Sequence, residues 1–328
     1  MPAVANQWTH DEWLSNYAVD YSGAFNKSRR IGTFLCPIVP VTITDGKYDY
    51  HDPKENMTPA DTSRGLGQAS TRIHTTVEKR WYSCQSQGLA FEIDDDELAR
   101  MRGTGEEMAY KQAKVENLIN RGLLSYDKRV LDMLEATVTP TTAITNLENG
   151  NAIENIGQWS DGSVDPFEQL KALRLWFKAR TGMTINKMAF GALAWEKTAN
   201  NPLMRDHIRY NSIDELTEQL LLTGLRLDRD MSPDNVLIVD DGYNAALPGG
   251  EMDPRLLAGN DVWLFYSQDT PSLYDPSFAK CFNTGGTSFV SQVQSILIPN
   301  LHVEASEVVW MDDPKVTAPL SGMRITVR

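Results

Sequence analysis

Residues 41–82 read VTITDGKYDYHDPKENMTPADTSRGLGQASTRIHTTVEKRWY, and this stretch decides how the chain is built. Val39, Val41 and Ile43 alternate with Pro40 and Thr42, and Tyr48 and Tyr50 continue the alternation after Asp45-Gly46. On the return side Ile73, Thr75, Val77 and Lys79 alternate with their neighbours up to Trp81, and Leu89, Phe91 and Ile93 alternate again. A period of two marks half-buried strands. Between the runs, residues 51–70 are rich in Pro, Gly and small polar side chains. A structureless loop of about 20 residues is unusual inside a compact domain, and a two-stranded hairpin is marginal alone in water. The pattern predicts a long hairpin that lies on another subunit.

Upstream, Thr9 and Glu12 have capping-box spacing, and Trp13, Tyr17 and Tyr21 fall four apart on one helical face. Such a stripe needs a cover, from the chain's own core or from a neighbouring chain. Gly23 to Gly32 is polar and carries Lys27, Arg29 and Arg30. Downstream, Asp94-Asp95-Asp96-Glu97 suits a helix N-terminus, where the dipole favours negative charge. It lacks the alternating ligand spacing of a calcium loop. Gly103 and Gly105 break this helix, and Thr104 with Glu107 restarts one. Val115, Ile119, Leu123, Tyr126, Val130 and Leu134 then form one stripe of a helix over 106–136, with Gly122 inside it as a point of close contact. Pro140, in TVTPTTAIT, ends it.

Residues 161–265 alternate helix and strand signals, the pattern of an α/β or α+β domain. Asp165-Pro166-Phe167-Glu168 is a capped helix start carrying Phe167, Leu170, Leu173 and Phe177, stopped by Gly182. TINKMAFG (184–191) reads as a strand, Leu193 and Trp195 lie on the next helix, and Asn201-Pro202 closes it. Ser212 and Glu215 cap a further helix with Leu216 and Leu220, ended by Gly224. Val236–Val239 and Val262–Tyr266 read as buried strands, and Val303 to Arg328 returns to β character.

The 328 residues suffice for one large domain or two, with 41% hydrophobic residues and no apolar run long enough to span a bilayer. MPAVANQWTHDEW at the start has no secretory pattern, so folding in a cytoplasm is expected. Cys36, Cys84 and Cys281 are odd in number and far apart, which argues for reduced core residues. A formal charge of −13 excludes gripping nucleic acid by counterion release. There is no P-loop, dinucleotide fingerprint, HExxH or GxSxG. His10, His51, His74, His207 and His302 are scattered, without metal-ligand spacing. Asp240-Asp241, beyond a strand end, is a candidate acid pair, and Asp-Gly there is ordinary turn chemistry; Asp312-Asp313-Pro314 is read the same way, as a turn before the last strand. Neither a catalytic residue, a cofactor nor a metal is expected.

The ordered set resembles the major capsid proteins of tailed bacteriophages, with the Hong Kong 97-like α+β fold. It is carried by Trp159 to Tyr210, with MAFG, Trp195, Asn201-Pro202 and Ile208-Arg209-Tyr210; by NVLIVDDGYNAA (235–246); and by PSLYDPSF (271–278). The resemblance implies an N-arm over 1–35, an E-loop region over 36–93 and a peripheral domain with a spine helix over 94–160. It implies an axial domain over 161–300, and C-terminal strands over 301–328 that return to the peripheral domain. It implies a non-enzymatic shell subunit, assembling with itself through pentamers and hexamers into an icosahedral shell. That shell would form in the host bacterial cytoplasm and enclose double-stranded DNA without sequence-specific binding or a membrane. A separate scaffolding protein is expected, because 35 residues are too few for a fused one, with a portal and an optional decoration protein as further partners. Subunit-interface side chains are expected at Trp13, Tyr17, Tyr21, Tyr48, Tyr50, Lys54, Arg64 and Arg72. Lys47 and Lys54 lie where some relatives carry a cross-linking lysine, but no partner Asn or activating Glu matches, and no cross-link is assigned. The alternatives are an encapsulin-like nanocompartment shell and a soluble α/β enzyme using 161–265.

Overall fold

A computed structural model describes residues 8–27, 30–52, 57, 59, 62–64, 67, 72, 77–147, 150–209, 216–225, 231–247, 249–286, 288–298 and 302–328. The chain divides into two compact units. One comprises Met1–Lys47, Trp81–Met133 and Lys280–Lys315, the other Tyr48–Arg80, Leu134–Ala279 and Val316–Arg328.

The first unit is organised by the long strand Val303–Val316. Gln292–Ile298 runs antiparallel to it from Ile298↔Val303 to Gln292↔Val309, and Gln85–Asp94 does so from Asp94↔Val303 to Gln85↔Asp312. Ala279–Asn283 also neighbours the long strand and carries Ile38–Pro40 in parallel. The long helix spans Glu107–Thr137, about 46 Å at 1.5 Å per residue. All six residues of its predicted stripe are buried. Gly122 faces Trp310: a Cβ there would lie 3.0 Å from the indole. Phe289 bridges Trp310 (4.9 Å) and Tyr126 (5.5 Å). Burying side chains of this size contributes about 1.5–3 kcal/mol each, before entropy.

Two helix starts differ from expectation. Thr9 caps nothing; it lies in the short strand Thr9–His10, opposite Ser295 and Gln294, and its hydroxyl donates to the Ser295 carbonyl (2.9 Å). The helix Glu12–Lys27 is instead held by Asp11, whose carboxylate accepts from the Leu14 N–H (2.9 Å). Thr104 turns its hydroxyl back to the Met101 carbonyl (3.0 Å) instead of capping the next helix. Gly105, at φ +78°, makes the break by adopting the left-handed conformation that costs glycine little. The acidic run behaves as expected, with Asp94 accepting from the Asp96 N–H (2.8 Å) at the start of Asp95–Thr104.

The second unit has a four-stranded sheet ordered Gly322–Thr326, Asp261–Phe265, Lys187–Gly191, Val236–Val239; the last pair is parallel. Asp261–Phe265 is buried along its length, as a central strand requires. Helix Pro166–Thr181 supplies Leu170, Leu173 and Phe177 to the core, capped by Asp165 and ended at Gly182 (φ +71°). Asn201, 2% exposed, joins three segments. Its amide donates to the carbonyls of Trp159 (2.9 Å), Asp161 (3.2 Å) and Val164 (3.0 Å), while its oxygen accepts from the Leu203 and Met204 N–H groups opening helix Pro202–Arg209. Replacing Asn201 by Ala orphans these groups together, and we expect a loss of about 2–4 kcal/mol, read as a lower urea midpoint at unchanged m-value.

The expected domain boundaries shift in two places. Residues 280–298 group with the long helix and not with the sheet of 161–265. The final strand pairs with Asp261–Phe265 and not with the long strand. Asp261 explains the second change: its carboxylate accepts from Arg324 (2.6 and 3.0 Å) and from the Thr326 hydroxyl (2.7 Å). Ser212 and Glu215, expected to cap a helix, and Ile73 and Thr75 lie outside the described residues; helix Glu218–Leu225 follows the expected position, with Gly224 inside it.

Candidate functional site

The stretch that decides the fold forms a ribbon: among the described residues, Asp45–Tyr50 pairs with Glu78–Ser83 in a two-stranded sheet. Alternation places Gly46 and Tyr48 inward and leaves their neighbours out. Gly46 lies against the Tyr82 phenol, where a Cβ would not fit. Tyr82 in turn stacks on Phe282 at 4.6 Å. The outward side chains couple across the strands. Lys47 sits 4.7 Å above the Trp81 ring, the Arg80 guanidinium lies 3.4 Å from the Tyr50 ring and also binds Glu78 (2.9 Å), and Lys79 faces Asp49 at 3.9 Å. Trp81 remains 65% exposed. The exposed indole is apolar surface that the ribbon's own two strands do not cover.

Of the expected interface residues in this region, Tyr50 is half-buried under Arg80, and Arg64 and Arg72 are exposed. Lys54 lies outside the described residues. Tyr48 is only 3% exposed and offers no surface. Trp81, an aromatic at a polar position of the alternation, is the exposed ring of the ribbon.

The N-terminal helix buries a different stripe from the aromatic one. Leu14, Ser15, Ala18 and Ser22 face the unit's own sheet. Ser15 donates to the Val293 carbonyl (3.1 Å) and accepts from its N–H (2.9 Å). Small side chains permit that close approach, which rings would prevent. Trp13, Tyr17 and Tyr21 instead form a flanking ladder with centroids 6.0 and 6.1 Å apart. The Tyr17 hydroxyl donates to Glu116, which helps push its pKa up to about 12, and Asn120 donates to Tyr21 (3.4 Å). Trp13, at the ladder's open end, is 45% exposed. Beyond the helix, Arg30 binds the fully buried Asp127 (2.6 and 2.9 Å), whose other oxygen accepts from the Gly32 N–H (3.0 Å).

Exposed apolar side chains recur at Leu247 (83%) and Met252 (75%), in the loop joining Gly242–Asn244 to Pro254–Leu256. Asn244, from the motif GYNAA, closes that loop by accepting from the Ala246 (3.1 Å) and Asp253 (2.9 Å) N–H groups. Asp275, from PSLYDPSF, is likewise structural: it accepts from the N–H groups of Ser272 (2.5 Å) and Ser277 (3.1 Å) and from the Ser277 hydroxyl.

Asp240 and Asp241 are exposed, and the Asp241 carbonyl accepts from the Leu257 N–H (3.0 Å), extending the pairing of Gly242–Asn244 with Pro254–Leu256. No group of three or more His, Cys, Asp or Glu among the described residues could hold a metal ion, and no described helix is long and apolar enough to cross a membrane. One groove among the described residues, about 600 Å³, is walled by Leu147, Ile153, Val164, Ala172 and Leu175. Its cations are engaged within its own lining: Arg174 donates to the Leu225 carbonyl and Lys171 pairs with Glu168, both at 2.7 Å. Cys36, Cys84 and Cys281 are buried free thiols, and burial pushes all three up, Cys84 to about 11, away from nucleophilic thiolate.

Asp312 is the electrostatic oddity. It is 1% exposed and meets Arg129 at 2.7 Å, yet Oδ1 has no partner among the described residues. Burial raises its pKa, outweighing the attraction of Arg129. A carboxyl whose folded pKa is raised stabilises the fold below its unfolded pKa and loses that contribution as pH rises through the folded value. Asp312→Asn removes the dependence. Comparing urea midpoints at pH 4 and pH 8, we expect the native chain to lose ground to the variant as pH rises; a native chain that gains ground on the variant between pH 4 and pH 8 contradicts this.

No family model matches the sequence, and no curated protein matches it. Solved structures do. A phage-related protein from Bordetella bronchiseptica RB50 is 18% identical, covering 98% of this chain and 97% of that one, with a TM-score of 0.71. The putative capsid protein of a prophage of E. coli CFT073 is 11% identical over 98% and 100%, with a TM-score of 0.54. A virus-like particle from Pyrococcus furiosus is 10% identical over 96% and 98%, with a TM-score of 0.51. At these identities the likeness is one of fold, and it runs nearly end to end in both partners.

Proposed function

We propose that this chain, which has the α+β fold of phage capsid proteins, is the major capsid protein of a tailed bacteriophage. In this reading copies assemble through pentamers and hexamers into an icosahedral shell around double-stranded DNA. The shell forms in the host bacterial cytoplasm and becomes the virion, with a separate scaffolding protein, a portal and an optional decoration protein as partners. The observation that carries the reading is the fold match over 98% of the chain. Further support comes from the ribbon Asp45–Ser83, which presents Trp81 to a surface its own two strands do not supply. Extended elements suit a shell: each buries modest area between chains, and the many copies share the work. The charge of −13 suits an interior that holds DNA without gripping it. The role is structural and not enzymatic, in keeping with exposed turn carboxylates at Asp240 and Asp241 and thiols raised by burial.

The likeness to the Pyrococcus furiosus particle keeps a second reading, a nanocompartment shell that encloses a protein cargo. Sedimentation velocity tests the shared claim. Capsomers or larger closed particles are expected, and nucleic acid or protein inside them separates the two readings. A compact monomer or dimer under every condition contradicts both.

A further inference from the structure

The net charge is unevenly distributed. Of the 31 Lys and Arg, nine lie in residues 1–83 and 22 in residues 84–328; of the 44 Asp and Glu, nine and 35. The arm and ribbon are therefore neutral, and the whole −13 belongs to the remaining 245 residues. The structure sharpens this contrast. In the ribbon, charges are matched locally, with Arg80 on Glu78 and Lys79 facing Asp49. In the rest of the chain, cations are drawn into internal contacts: Arg324 on Asp261, Arg129 on Asp312, Lys111 on Glu304, Arg174 on the Leu225 carbonyl, and Lys187 in a largely buried site. Carboxylates such as Glu92, Glu154, Asp240 and Glu251 stay exposed.

We infer that association between copies of this chain is gated by ionic strength: the neutral first 83 residues bridge copies, while the acidic remainder repels its neighbours until salt screens it. This rests on the shell reading above and adds its regulation. Charges on facing surfaces a few ångströms apart interact across a Debye length of about 30 Å at 0.01 M salt but only about 3 Å at 1 M. Net charge of one sign keeps chains apart when unscreened. Contacts through the neutral segments carry no such penalty, so screening changes how closely the acidic parts approach and leaves the bridging contacts alone.

The test measures the assembly threshold concentration of the full chain by light scattering and sedimentation, from 20 mM to 1 M NaCl. A second protein carries Glu92→Gln, Glu154→Gln, Asp240→Asn and Glu251→Gln, four exposed side chains without a side-chain hydrogen bond among the described residues. We expect the threshold to fall at least tenfold across the salt range, and the fourfold variant to reach the same threshold at several-fold lower salt. Assembly that is independent of salt, or that salt disperses, overturns this inference while leaving the shell reading intact. Association at no salt concentration overturns the shell reading and this inference with it. A variant that assembles but tracks the native salt curve places the gate elsewhere and overturns the proposal.

Discussion

Removing residues 53–76, with a short Gly-Ser connection left between the strands, abolishes the assembly of closed shells while the chain stays folded. The strands Asp45–Tyr50 and Glu78–Ser83 keep their pairing and their coupled side chains, Lys47 with Trp81 and Arg80 with Tyr50. The buried contacts at the ribbon's base, Tyr82 on Phe282 and Gly46 on Tyr82, are untouched. The thermal midpoint and far-ultraviolet dichroism therefore stay within a few degrees and a few per cent of the native chain, since loop length alone costs little. On the shell reading proposed above, the deletion removes the contact with a neighbouring copy. Sedimentation of the deleted chain should show capsomers or single subunits where the native chain gives particles. Particles of native size and yield would show that the ribbon has no part in assembly.

Replacing Asp127 by Ala costs about 3–5 kcal/mol, the largest single-site loss expected in the chain. The carboxylate is fully buried, accepts both Arg30 bonds and the Gly32 N–H, and anchors the segment that follows the N-terminal helix to the long helix. Its loss leaves a 16% exposed guanidinium and a buried backbone donor unpaired. Gly32 adds to the constraint, because a Cβ there would come within 2.9 Å of the Tyr126 ring. Asp127→Asn keeps the shape and one acceptor and should recover part of the loss. Chemical denaturation reads both, and an Ala variant within 1 kcal/mol of native would remove Asp127 from the account.

Periodicity was the most legible signal. The stripe from Val115 to Leu134 is buried at all six positions because a 3.6-residue repeat leaves one face for the core. The Asp165 cap, the Gly182 stop and the strand ending at Gly191 were equally readable, because capping and turn chemistry is local. Pairing over long sequence distance was not. Nothing in Arg324-Ile325-Thr326 announces that Asp261 will collect it, nor in Thr9 that its partner is Ser295. The aromatic ladder shows a related limit: four-residue spacing shows that Trp13, Tyr17 and Tyr21 share a face, but the sheet selects the flank carrying Ser15, Ala18 and Ser22. Tyr48 and Trp81 show the same limit in a strand, where the pattern gives the two faces but not which one a neighbouring element covers.

Electron microscopy of the full chain, expressed alone and together with its neighbouring reading frames, tests the central claim most directly. The account predicts closed particles of uniform diameter, or five- and six-membered rings that close into particles when the partner proteins are present. Featureless monomers or dimers in every preparation would contradict it.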